Sequence, residues 1–174
     1  MTGSEPRALR LTEVLAQEAD ALTATVTGGS GPPAVLLARA RRAFVIAQLV
    51  STVLAEHAVP ARDAYDLGGS LADAACNVLD PVIGPELIAA CRADLRHGEA
   101  GRLLRLAEVD VTLLAHTGEP EIDDAMAMLS GALATLLAGV AGNEQALVEQ
   151  RRAAGTAEAQ ARELWARYGD ADGT

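Results

Sequence analysis

The chain has 174 residues, 50% of them hydrophobic and only 2% aromatic, with 37 Ala, 24 Leu and a formal net charge of -10. All 14 cationic side chains are Arg, which excludes a pyridoxal Schiff base, a lysine nucleophile and a Walker A phosphate loop. The acidic balance also argues against a face that neutralises nucleic-acid phosphates, so no nucleic-acid partner is expected.

The length predicts one domain over residues 1–174, large enough to bury about 70% of its unfolded surface without disulfides or a structural metal. Cys76 and Cys91 form no CxxC pair and read as small buried hydrophobes in a reducing compartment. The first ten residues carry Glu5, Pro6 and two Arg, unlike a signal peptide. The longest apolar run, residues 43–55, is too short to span a bilayer and holds Gln48, Ser51 and Thr52. A soluble cytoplasmic protein with no membrane partner is therefore predicted. The Ala/Arg bias without Lys is that of a GC-rich codon pool, as in high-GC bacteria.

No period-2 alternation marks a strand, and breakers divide the chain into about seven helical segments. A first helix is predicted over 6–26, with Ser4 as N-cap and a narrow stripe of Leu11, Leu15, Ala19, Leu22 and Val26. Residues 27–33 read as a flexible loop, glycine-rich but lacking the preceding strand of a phosphate-binding turn. The second helix, 33–59, is apolar nearly all round. Short helices are predicted over 67–79 and 85–97, divided by Asp80-Pro81 and Gly84-Pro85. A fifth covers 99–116. A sixth starts at Pro120 and is read through Gly142 towards Arg152. A last helix, 156–168, takes Thr156 as N-cap and Ala161, Leu164, Trp165 and Tyr168 as its inner face. Residues 169–174 form a polar tail predicted to be disordered. The fold class is all-α: a single-domain orthogonal or up-down bundle of six to eight helices.

The sixth helix has two unlike faces. Ile122, Met126, Leu129, Leu133, Leu136, Leu137 and Val140 form a bulky one, and Ala127, Gly131, Ala134, Ala138 and Gly142 a small one. Glycine costs helix stability, so its presence predicts close approach of another backbone, from a neighbouring helix or from the same helix of a second subunit. A homodimer is the expected assembly.

Misplaced polar groups carry the functional signal. In the fifth helix Asp110 projects from the face made by Leu103, Leu106, Ala107, Leu113 and Leu114. A carboxylate there is paired within the core or lines a pocket with perturbed acidity. In the second helix Arg41, Gln48, Thr52 and Glu56 are spaced by seven, four and four, which puts them on one side. They read either as the polar floor of a small-molecule cavity shared with Asp110 or as an exposed stripe. Under the cavity reading Asp110 and Glu56 are the catalytic candidates, with Asp110 as general acid/base. Arg41 then holds an anionic group of the substrate, and Gln48 and Thr52 orient it. His57, His97 and His116 form no HExxH or Glu-x-x-His pattern, so no metal is expected, and no cofactor either. Residues 92–105 carry four Arg against two acids, a local excess read as a solvated face. Two functions follow as expectations: a small-molecule-binding protein, extending to cofactor-free acid/base catalysis on a partly apolar, anionic metabolite, or a protein-interaction or regulatory module without catalysis.

Overall fold

A computed structural model describes residues 11–28, 31–57, 62–98, 101–102 and 119–169. These residues form six α-helices and no strand, an all-α bundle as the sequence predicts. The helices are α1 (Leu11–Thr27), α2 (Pro33–His57), α3 (Arg62–Ile83), α4 (Pro85–His97), α5 (Glu119–Ala141) and α6 (Val148–Gly169). The predicted Ser4 cap, the helix over 99–116 with Asp110 and His116, and the tail 170–174 lie outside the described residues.

Four helices close a ring. α2 packs on α3, α3 on α6, α6 on α5, and α5 back on α2, while α1 lies against the outer side of α5 and α4 against α2. The bulky face of α5 points into the ring: Ile122, Met126, Leu129, Leu133 and Leu137 are all completely buried. By length and composition Glu121–Ala141 would suffice to cross a membrane, but here its large side chains fill a protein core. α6 meets the core with Ala153, Ala154, Ala157 and Ala161, whose small volumes let α5 and α6 approach closely. Phe44, the one Phe, is fully buried on α2 with Leu37 and Ile46.

Ion pairs tie the outer helices to this ring. Arg42 of α2 binds Glu18 of α1 through one guanidinium nitrogen and Asp94 of α4 through another, the latter at 2.8 Å. Arg96 and His97 occupy the last turn of α4, where positive charge complements the helix dipole.

Several boundaries differ from the predicted ones, each for a local reason. α3 starts at Arg62 and runs through Gly68, Gly69 and Pro81 to Ile83. The two glycines are helical because side chains of α2 and α6 pack directly on them. Pro81 removes one intrahelical hydrogen bond, yet the following Ile83 is buried and holds the last turn in place. The real break is Gly84, whose φ of 98° only glycine adopts readily. Pro85 then opens α4 at a position that needs no N–H.

α5 ends at Ala141, short of the predicted Arg152, because Gly142 and Asn143 terminate it. Gly142 N donates to Ala138 O at 3.0 Å, and the Asn143 side-chain oxygen accepts from Gln145 N at 2.9 Å. Gln150 Oε1 accepts from Leu147 N at 3.1 Å, the reach-back half of a capping box, so α6 begins at Val148. Thr156 is therefore mid-helix and not an N-cap, its hydroxyl donating to Arg152 O. The inner face of α6 also differs from the predicted one: Ala161, Leu164 and Tyr168 are buried, but Trp165 is 52% exposed. On α1 the stripe is buried from Leu11 to Leu22 and emerges at Val26.

Candidate functional site

The polar line of α2 faces α3. Arg41 is 6% exposed and its Nε donates to Asp80 of α3. That hydrogen bond to Asp80 holds the guanidinium in its charged form and raises its pKa further. One heptad on, Gln48 Nε2 donates to Asp73 Oδ1 at 3.2 Å. Thr52 donates to Gln48 O at 2.9 Å and lies over Gly69. Position 41 thus faces 80, 48 faces 73, and 52 lies near 69: an antiparallel polar seam. Asp66, Asp73 and Asp80 repeat every seven residues on α3, matching the spacing of Arg41 and Gln48. This repeat is the sequence signal that would have found the partners of the α2 line.

Around Gln48 and Thr52 the seam opens into a cleft of about 390 Å³, shared with Tyr65, Asp66, Ser70 and Asn77. Its groups already satisfy one another. Asp73 accepts from Gln48 and from Asn77 at 3.1 Å, Asp66 pairs with Arg62 at 3.6 Å, and the Ser70 hydroxyl donates to Asp66 O. Chemically the cleft offers surplus acceptors and few free donors. Glu56 is exposed near the end of α2 and has no place in the cleft. Of the predicted site residues, then, the structure brings Gln48 and Thr52 together, engages Arg41 with Asp80 and leaves Glu56 in solvent; Asp110 lies outside the described residues. No group of three or more His, Cys, Asp or Glu able to hold a metal occurs among the described residues.

Beneath the seam lies a buried polar contact. Ser51 and Tyr168 share a hydrogen bond of 2.7 Å, and Tyr168 stacks on Tyr65 with ring centroids 6.2 Å apart. Burial pushes the Tyr168 phenol up to about 12, against the opposing effect of the Ser51 hydrogen bond. Burial likewise pushes the Cys76 thiol up to about 12, only partly countered by Arg41. Cys76 is accordingly an inert core thiol, its Sγ directed at Arg41 O at 3.8 Å.

A larger concavity than this cleft lies elsewhere among the described residues. α1 and α6 flank the small face of α5 to form a trough of about 780 Å³, whose lining includes Asp20, Val26, Asp124, Met128, Gly131 and Trp165. It continues past Thr135 into a second hollow of about 460 Å³, reaching Ala138 and Arg162. Trp165 is 52% and Met128 57% exposed, both unusual for such side chains. A Cβ added at Gly131 would meet nothing within 4 Å, and one added at Gly142 would meet only backbone oxygens of its own helix, Ala138 O and Gly139 O. The close neighbour that these glycines predict is thus not another helix among the described residues, and the floor of the trough is uncovered. The sequence marked the small residues of this floor but gave no sign that Trp165 would form its wall.

No known protein family, no curated protein and no solved structure matches this chain. The six helices define the class of the protein as an all-α bundle.

Proposed function

We propose that this chain is a cytoplasmic protein-interaction module, built as one domain, whose working surface is the α1/α5/α6 trough and whose ligand is an apolar helix. The observation that carries this reading is the uncovered small-residue floor at Gly131, walled by the exposed Trp165 and Met128. Small residues at helical spacing form a shallow channel into which a second helix can settle closely, and aromatic and Met side chains beside it supply the contact energy. The alternative, a small-molecule site built on Arg41, Gln48, Thr52, Glu56 and Asp110, is less well supported. Arg41 and Gln48 are committed to Asp80 and Asp73, and Glu56 stands apart.

Trp165 is the one Trp of the chain, so its emission reports on the trough alone. At a protein concentration low enough to keep the chain monomeric, a short Leu/Ala amphipathic peptide is expected to shift that emission to the blue. Gly131→Phe, which fills the channel, is expected to abolish the shift while leaving the helical circular dichroism intact. Emission unchanged at saturating peptide would remove the trough as an interaction site.

A further inference from the structure

Resting on that reading of the trough, we infer that its occupant is the same face of a second copy of this chain, packed across a two-fold axis near Gly131 with the two α5 helices antiparallel. The face is polarised along α5. Asp20 and Asp124, both exposed, stand at the end near the start of α5, and neither has a hydrogen-bond or ion-pair partner among the described residues. Arg162 stands at the other end, beside Ala134 and Ala138. It is bonded to Glu158 at 2.8 Å, yet its side chain remains 62% exposed, leaving guanidinium N–H groups open to a partner.

Gly131 lies midway between positions 124 and 138, and these two are about 21 Å apart along a helix rising 1.5 Å per residue. A two-fold axis at Gly131 therefore brings Asp124 of each copy over the Ala138/Arg162 end of the other. Opposite charges meet twice, small residue meets small residue at the crossing, and Trp165 and Met128 of both copies are covered together. A self-complementary patch of this kind is what a two-fold interface requires. A parallel arrangement would instead set Asp124 against Asp124. The net charge of -10 opposes association at long range, but salt near 0.15 M screens it beyond about 8 Å.

Sedimentation equilibrium of the full chain tests this. The expected mass is twice 17.9 kDa. Asp124→Arg and Arg162→Asp should each weaken the dimer about tenfold, since each reversal sets two like-charge pairs across the axis. The double variant should recover most of the loss. A wild-type chain that stays monomeric overturns self-association; the peptide titration of Trp165 then separates the two failures. If the peptide still shifts the emission, the trough docks a foreign helix, and if it does not, the interaction reading falls as well. A dimer indifferent to both reversals and to Gly131→Phe uses another face, such as the exposed Leu147 and Val148, and overturns the inference equally.

Discussion

Gly68→Val is expected to lower the unfolding free energy by about 3 kcal/mol, the upper part of the range for forcing atoms into a packed core. A Cβ at this position falls 2.5 Å from Tyr168 Oη and 3.2 Å from Ser51 Oγ. The hydroxyl of Tyr168 cannot simply swing away, because its ring is buried, stacked on Tyr65 and hydrogen-bonded to Ser51. Relief requires moving α6 off the α2/α3 pair, so the loss spreads to both sides of the ring that α6 forms, with α3 and with α5. Gly155 is the control within α6: a Cβ there meets nothing, and Gly155→Ala should gain up to about 1 kcal/mol through helix propensity. Urea titration of the two variants checks both signs. Equal midpoints would mean that α3 and α6 do not meet as described.

The second large effect is loss of stability in alkali. The Cys76 thiol rises from 9.0, and the Tyr168 phenol from 10.0, to about 12 in the folded chain, each chiefly through burial. In the unfolded chain both groups ionise at their ordinary values, so above pH 9 the unfolded state releases protons that the folded state retains. Stability is therefore whole below pH 9 and falls as pH rises from 9 to about 12. The difference amounts to roughly 4 kcal/mol for Cys76 and roughly 3 kcal/mol for Tyr168 at the top of the window. The arginine ion pairs of the ring stay charged throughout it. Unfolding free energies measured from pH 8 to 11 should hold level to about pH 9 and then fall in the wild type, and fall less steeply in Cys76→Ala and in Tyr168→Phe. A flat wild-type profile would show that neither group is buried.

How much of this was legible in the sequence depends on which force set each feature. Helicity was, because Ala and Leu favour helix in any context. The inward face of α5 was legible too, since seven bulky residues at helical spacing admit only one packing side. Boundaries fixed by tertiary contact were not. The helix predicted over 67–79 opens just before Gly68 and Gly69, whereas α3 begins at Arg62 and runs through both, with Tyr168 and Ser51 packed on Gly68. Thr156 has the local signature of a cap and lies mid-helix because Gln150, six residues earlier, holds the true start.

The polar line of α2 was correctly seen as one side of a helix, but its partners were sought on a distant element. Asp80 and Asp73, one crossing away on the next helix, supply them, and their seven-residue spacing was present in the sequence. Trp165 could not be placed from periodicity alone. It neighbours the buried Leu164, and a rotation of α6 by a fraction of a turn decides whether it enters the core or walls a trough. That same rotation leaves the small face of α5 open, and this open face is the docking surface we propose.

The most direct test of that surface is a cysteine at the proposed axis. With Gly131→Cys, two chains related by the two-fold place their new thiols face to face, within reach of a disulfide whose Cα atoms lie roughly 4.4–6.8 Å apart. The wild type serves as the blank, since Cys76 is buried and Cys91 half-buried. The exposed Arg152→Cys on α6, remote from the trough lining, is the control. After mild oxidation at low protein concentration, non-reducing electrophoresis should show Gly131→Cys as a covalent dimer, with the wild type and Arg152→Cys remaining single chains. Gly131→Cys remaining a single chain, or cross-linking no faster than Arg152→Cys, would contradict the account.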